Sequence, residues 1–185
     1  MEKQLLKEKA LAYIEQNKDY LMQIGQKLYD MPETGFREYE TAAYVTQILE
    51  ECGLDVTGGL AITGLKATAK GRKSNANLAL MGELDALIMP SHPHCHPTRG
   101  TFHGCGHHAQ LTTILGAALG LVKSGLISLL DGDLTFIGVP AEEVIEQDFR
   151  KALRDEGKLF FLSGKQEMVR LGVFDDVEKP CNASG

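Results

Sequence analysis

The chain has 185 residues, of which 43% are apolar, and a formal net charge of −6. This composition supplies enough apolar side chains for a core and excludes a disordered chain. Acidic and basic residues are mixed, which argues against nucleic-acid binding, because that needs clustered Lys and Arg. The cysteines are irregularly spaced, which indicates a reduced protein without a disulfide framework. The N-terminus is charged and no apolar run is long enough to span a membrane. These features favour a soluble, cytoplasmic protein that interacts with no membrane.

Helical periodicity dominates the first third of the chain. Apolar residues follow helical spacing over residues 6–14 and again over residues 21–28, and the polar residues 17–19 predict a break between two helices. The sequence PETG at residues 32–35 predicts a turn. A third helix follows and is predicted to end before Gly53, a plausible C′ residue.

The apolar pattern then changes to that of strands alternating with helices. Residues 77–84 and 133–139 are apolar enough to be central strands, and the second run ends at Pro140. The other predicted elements are a half-buried strand at 65–70, a buried helix at 110–123 and short polar helices at 149–156 and 164–171. This order indicates an α/β domain with a mixed, mostly parallel sheet flanked by helices.

Polar clusters follow the predicted central strands. Glu83 and Asp85 end one strand, Glu142 and Glu143 follow the other, and all six histidines fall within residues 92–108. Because functional groups gather at the carboxyl ends of parallel strands, we expect carboxylates and imidazoles to meet at one edge of the sheet.

The histidine-rich segment offers a candidate metal site. Cys105 and His107, separated by a glycine, can turn towards one ion, and thiolate with imidazole suits zinc and similar metals. The alternative is a free cysteine beside a core or solvated histidine. His92, His94 and His96 alternate in a Pro-rich stretch that is typical of a polar surface loop.

The carboxylates allow two interpretations each. Neighbouring residues of an extended chain point to opposite sides, so one of Glu142 and Glu143 can hold a metal while the other takes a proton from the attacking water. Alternatively, the pair stabilises the start of a helix. Asp85 either orients a ligating histidine through a hydrogen bond or caps a turn.

Three motifs together resemble a known family. ELDAL at residues 83–87, FHGCGHHAQ at 102–110 and GVPAEE at 138–143 occur in the order and at about the spacing found in metal-dependent amidohydrolases and peptidases. This is the aminoacylase and carboxypeptidase-G superfamily, in its branch of hippurate, auxin–amino-acid and aminobenzoyl-glutamate hydrolases. The resemblance implies a zinc-peptidase-like catalytic domain that hydrolyses the amide bond of a small N-acyl amino acid or similar conjugate.

The resemblance also implies roles for individual residues. It implies a site with two divalent ions (zinc, manganese or nickel). Six residues match family positions: the metal ligands Cys105, His107 and Glu143, the general base Glu142, and the neighbouring Asp85 and His103. His108 is also expected to lie beside the site.

The sequence departs from the family pattern at three positions. His108 stands where an Asp is usual, Gln110 where a His is frequent, and Glu83 in place of the first Asp of the D-x-D-A-L motif. These differences indicate a distinct subgroup.

Family members are about twice as long as this chain and supply further histidine ligands, whereas no histidine follows His108. We therefore expect residues 1–180 to be the N-terminal segment of a catalytic domain and residues 181–185 to be a tail. The lid or dimerisation domain and the C-terminal catalytic segment would then be absent, and the fragment inactive. An incomplete sheet would expose an edge and favour homo-oligomers.

Two alternatives to an enzyme fragment stay open. The chain is either a non-catalytic product that binds a metal or a partner through the same fold, or a small structural zinc module. The module would use Cys95, His96, Cys105 and His107, but it explains neither PAEE nor ELDAL.

Overall fold

A computed structural model describes residues 2–182, with side chains described for residues 3–178. Helices pack around a five-stranded sheet, and a two-stranded ribbon lies beside it. The elements are α1 (Glu2–Gln16), α2 (Lys18–Tyr29), α3 (Tyr39–Glu51), β1 (Val56–Leu60), β2 (Gly64–Ala69), β3 (Asn77–Glu83), β4 (Leu87–Ile88), β5 (Thr101–Phe102), α4 (His107–Ala117), β6 (Asp133–Val139), α5 (Gln147–Asp155), α6 (Gly164–Arg170) and β7 (Lys179–Asn182). A π-helical segment, Ala118–Lys123, continues α4.

The sheet is mixed, as the sequence predicts. Its strand order is β1-β2-β6-β3-β7. The strands β6, β3 and β7 are parallel to one another, while β2 is antiparallel to both β1 and β6. Four of these described strands therefore run in one direction, and β2 runs in the other. The predicted α/β fold with a mixed, mostly parallel sheet is confirmed.

The centre of the sheet is buried by helices. Every residue of β6 is buried, which explains why its sequence is apolar on both faces. The helix α4 packs closely on β3 because Gly82 has no side chain: a Cβ atom there would lie 3.0 Å from the side chain of Leu111. Within the described part of the chain, no helix is long and apolar enough to span a membrane.

Most predicted element boundaries agree with the structure. The helix break falls at Asn17, and Gly53 follows α3 with a φ of 87°. The helix α4 begins three residues before its predicted start, because Gly106 adopts a φ of 82° and turns the chain into His107.

Two strands at the sheet edges were missed by the sequence prediction. The strand β1 carries adjacent glycines and an exposed face, so it lacks the apolar signal of a strand. The strand β7 pairs with β3 in parallel. It includes the first two residues of the predicted tail, 181–185, whose other residues lie outside the described ones.

Candidate active site

The carboxyl ends of β3 and β6 form the floor of the candidate site. These neighbouring strands are in register, with Glu83 opposite Val139. Directly beyond them, the backbone N–H of Leu84 donates to the carbonyl of Val139 at 2.9 Å. ELDAL and PAEE therefore run side by side, as predicted from their positions after the two central strands.

The first turn of α4 places an imidazole between the carboxylates of ELDAL. His107 is buried, and its Nδ1 lies 2.8 Å from the backbone carbonyl of Asp85. Its Nε2 lies 3.0 Å from Oε2 of Glu83. Gln110, one turn further along α4, accepts a hydrogen bond from the backbone N–H of Glu83 at 3.2 Å. The helix thus fixes the imidazole and the strand end together.

The buried charges at this position stabilise one another. Burial opposes a positive charge on His107, but the contacts with Asp85 and Glu83 outweigh burial and raise the pKa of the imidazole to about 10. Burial likewise opposes the charge on Glu83, yet hydrogen bonds from His107 and Lys165 lower the pKa of its carboxyl to about 2. Without a metal, the site therefore holds an imidazolium beside a carboxylate at neutral pH.

Asp85 links the imidazole to the PAEE loop. Its side chain is fully buried, and Oδ2 accepts a hydrogen bond from the backbone N–H of Glu143 at 2.9 Å. The other oxygen, Oδ1, lies 3.3 Å from Nδ1 of His107 but has no hydrogen-bond partner, since Nδ1 is directed at the backbone carbonyl. A buried carboxylate oxygen without a donor favours a nearby cation.

Cys105 and Glu143 lie next to each other on the solvent side of the site. Cys105 is exposed, and a hydrogen bond with the side chain of Glu143, together with burial, raises the pKa of the thiol to about 11. Two of the three predicted metal ligands are therefore adjacent, and the third, His107, is joined to them through Asp85.

Another group of possible ligands shares only His107 with the predicted metal ligands and adds Glu83 and the predicted base Glu142. Glu83, His107 and Glu142 each offer an atom within 4.8 Å of the others, the one such group found among the described residues. Oε2 of Glu142 lies 3.9 Å from Nε2 of His107. The signal for Glu83 was present in the sequence, since it occupies the first acidic position of ELDAL.

His103 and His108 connect the site to α2. Nε2 of His103 lies 3.0 Å from the carbonyl of Leu28, and burial lowers the pKa of this buried imidazole to about 4. The ring of His108 packs edge-on against Tyr29, with centroids 5.1 Å apart, and burial also lowers its pKa. Both predicted neighbours of the site therefore favour neutral rings that pack against a helix.

Lys165 is a further side chain at the candidate site that the sequence analysis did not single out. It lies in the first turn of α6, and its ammonium group contacts a carboxylate oxygen of Glu83 and lies 3.5 Å from Oε1 of Glu142. No local pattern could have revealed this contact, because Lys165 is 82 residues from Glu83 in the sequence.

A second set of buried charges holds the backbone of PAEE. Glu38 accepts a hydrogen bond from the backbone N–H of Ala141 at 2.7 Å, and Ala141 adopts a left-handed φ of 49°. Arg150, fully buried, donates to the carbonyl groups of Glu143 and of Leu162. The strained turn that presents the two glutamates is thus fixed from both sides.

The residues present fit a divalent metal ion. The site combines a buried imidazole, several carboxylates and an exposed thiol, a donor set that suits zinc or manganese. The buried Oδ1 of Asp85 adds a carboxylate oxygen that has no hydrogen-bond donor among the described protein atoms.

Known proteins resemble the chain in sequence and in fold. No protein-family model matches the chain. The thermostable carboxypeptidase 1 of Saccharolobus solfataricus is 29% identical over 94% of the chain, and a p-aminobenzoyl-glutamate hydrolase subunit of Escherichia coli is 32% identical over 89%. The YXEP protein of Bacillus subtilis, a dinuclear metal-binding peptidase, superposes on 89% of the chain with a TM-score of 0.70 and 26% identity.

These comparisons identify the class of protein and the family. The fold, a mixed sheet with flanking helices, matches part of the structures of metal-binding peptidases. The chain belongs to the family of metal-dependent amidohydrolases and peptidases that includes these relatives, which confirms the resemblance found in the sequence. It spans 41% of the length of the carboxypeptidase, 32% of the Escherichia coli hydrolase chain and 42% of the YXEP protein.

Proposed function

We propose that the chain forms the N-terminal part of the catalytic domain of a metal-dependent amidohydrolase that cleaves N-acyl amino acids or similar conjugates. The observation that carries this proposal is the buried Glu83–His107–Asp85 arrangement at the ends of two parallel strands, with Glu142 above it. The similar hydrolase subunit from Escherichia coli is named for a conjugate of glutamate.

Cys105, His107 and Glu143 are the proposed metal ligands, in a complete site of two zinc, manganese or nickel ions. A bound divalent ion supplies a Lewis acid for the carbonyl group and lowers the pKa of water. Asp85 orients His107 through its backbone carbonyl and Glu143 through its side chain, and so sets the spacing of the ligands.

Glu142 is the proposed general base. Its side chain is 35% exposed, while those of Glu83 and Asp85 are at most 5% exposed. Of these three carboxylates, it is the one that both solvent and substrate reach, so it can take a proton from the attacking water and return it to the leaving amine. Because Asp85 is fully buried beneath the PAEE loop, its proposed role is to orient the neighbouring residues.

The test separates the metal ligands from the base. Metal content is measured by mass spectrometry for Cys105→Ala and Glu142→Gln, with Cys52→Ala, a core cysteine at the end of α3, as the control. We expect Cys105→Ala to lower metal occupancy. Glu142→Gln should keep the metal and abolish hydrolysis of N-acyl amino acids in the longest active product of the same locus.

Each result assigns the residues differently. Loss of metal in Glu142→Gln would make Glu83, His107 and Glu142 the ligand set and reverse the roles of the two glutamates. Full occupancy in Cys105→Ala would remove the thiol from the site. If the chain binds metal but the longest protein produced from the same locus hydrolyses no amide bond, the result would favour the non-catalytic alternative.

Location and self-association complete the proposal. We propose a cytoplasmic protein, because all three cysteines with described side chains, Cys52, Cys95 and Cys105, are unpaired.

We also propose homo-oligomers, supported by large apolar side chains exposed on the N-terminal helices at Leu5, Leu11 and Met22. Sedimentation at several concentrations tests the second point, and a monomer at all of them would contradict it.

A further inference from the structure

Lys165 occupies the position of a cation in the candidate metal site. Its ammonium group forms a hydrogen bond to Oε1 of Glu83 and lies 3.5 Å from Oε1 of Glu142. These two carboxylates belong to the group of residues that could hold a metal ion. The same oxygen-rich position is therefore neutralised by a side chain of the protein itself.

The two carboxylates divide their oxygens between two side chains. Oε1 of each glutamate faces Lys165, and Oε2 of each faces Nε2 of His107, at 3.0 Å for Glu83 and 3.9 Å for Glu142. In the metal-free protein, the ammonium group of Lys165 thus lies against both carboxylates. A divalent ion among the same oxygens would be repelled by an ammonium group a few ångströms away.

We propose that Lys165 is a built-in counter-cation that closes the metal site in the metal-free protein and must leave it when a divalent ion binds. The inference rests on the proposed function in one respect only, namely that a divalent ion binds at His107 and the PAEE loop, next to the carboxylates that Lys165 contacts. It adds that a divalent ion competes with the ammonium group of Lys165, on α6, for this position.

The surroundings of Lys165 leave room for its side chain to rotate away from the two carboxylates. The side chain is 37% exposed, and a groove of about 420 Å³ lies beside it, lined by Phe161, Gln166, Val169 and Arg170. The four-carbon stem of a lysine is flexible and its ammonium is strongly hydrated, so the stem can pack along this groove while the charge returns to water. The backbone of α6 stays in place, anchored by the hydrogen bond from Gly164 N–H to the carbonyl of Ala141.

The first experiment measures metal affinity by calorimetric titration of the metal-free chain with Zn²⁺ and with Mn²⁺. The variant Lys165→Met removes the charge and keeps most of the stem, and Lys165→Arg keeps the charge. Lys151→Met is the matched control, since Lys151 is exposed on α5 and pairs only with Asp148 among its described contacts.

We expect Lys165→Met to bind metal at least tenfold more tightly than the wild type, and the other two variants to show no tightening. An affinity for Lys165→Met equal to or weaker than that of the wild type would overturn the inference while leaving the proposed function intact. Binding by neither protein would overturn both.

A second experiment uses the wild-type chain, and so does not depend on how the variant folds. Brief acetylation followed by mass spectrometry reports how accessible each lysine is, with and without saturating Zn²⁺. Release from the two carboxylates should raise the labelling of Lys165 several-fold and leave that of Lys151 unchanged. Unchanged labelling of Lys165 in the metal-loaded chain would show that the ammonium group stays in the site, contrary to the inference.

Discussion

Two regions of the molecule contain the same residue types but use them in different ways. The loop between β4 and β5 carries His92, His94 and His96 with Cys95, and the side-chain hydrogen bonds of these four residues reach at most five residues along the chain. The strand-end site contains His107, which is buried and contacts groups that lie 22 to 35 residues away in the sequence. The loop has more histidines, but the site has the charged network.

The difference shows which surroundings favour a role for a histidine in metal binding. In the loop, His92 stacks on Phe102 with ring centroids 3.8 Å apart, and His94 is exposed. In the site, burial strengthens each electrostatic contact of His107, and the surrounding carboxylates compensate for the lost water. Position in the fold, rather than the number of histidines, therefore determines which region can bind a metal tightly.

Removing the side chain of Asp85 should lower the free energy of unfolding more than the other substitutions described below. In Asp85→Ala, His107 loses the neighbouring carboxylate and the backbone N–H of Glu143 loses its acceptor, both in buried surroundings. We expect the free energy of unfolding to fall by about 3–5 kcal/mol, measured by urea denaturation. His94→Ala, the loop control, should change it by less than about 0.5 kcal/mol. Equal losses in the two variants would contradict the contrast between the regions.

The packing that supports the site should be the next most sensitive feature. A Cβ atom at Gly164 would lie 1.7 Å from the carbonyl oxygen of Pro140, so Gly164→Ala must displace α6 from PAEE. We expect a loss of about 1–3 kcal/mol in urea denaturation. Gly58→Ala is the matched control, because a Cβ atom there meets no heavy atom within 4 Å. Unchanged stability in Gly164→Ala would mean that the loop and helix separate at little cost.

The sequence predicted the parts of the site that depend on strand ends, and missed the parts that depend on distant contacts. ELDAL and PAEE meet because both follow apolar runs that form adjacent parallel strands, and apolar runs are visible in a sequence. The hydrogen bond from Ala141 to Glu38 joins residues 103 positions apart, and Lys165 lies 82 residues from Glu83. Such pairs are set by how helices pack on the sheet, which local periodicity does not encode.

The buried region should also respond to pH through Glu38. Burial raises the pKa of its carboxyl from the ordinary value of 4.5 to about 7, despite hydrogen bonds from Thr63 and Ala141. Between these two values the folded chain holds more protons than the unfolded chain, so the stability contributed by Glu38 decreases as pH rises from 4.5 to 7.

In Glu38→Gln this dependence should disappear. The wild type should lose stability relative to the variant by up to about 1.4 kcal/mol per pH unit in that window, measured by urea denaturation at several pH values. Glu40→Gln, at the exposed start of the following helix, serves as the control. Parallel stability profiles for the wild type and Glu38→Gln would show that Glu38 is ionised in the folded chain throughout the window.

The smallest effect is expected in the loop, and it tests the structural zinc module directly. Cys95 contacts the carbonyl of Pro90 at 3.4 Å, and Nδ1 of His96 accepts weakly from Arg99 N–H at 3.3 Å. The loop is held by bonds between backbone groups, including His96 N–H to the carbonyl of Thr101 at 2.7 Å, and by the side-chain bond from Arg99 to Glu40, and these survive substitution of Cys95 and His96.

The double variant Cys95→Ser with His96→Ala should therefore melt like the wild type, within about 0.5 kcal/mol, both with and without Zn²⁺. A structural module built on these two residues with Cys105 and His107 would instead lose its metal and unfold. Because the site residues Asp85, Glu83 and His107 remain intact in this variant, a large loss of stability would place the essential metal in the loop and reverse the comparison between the two regions.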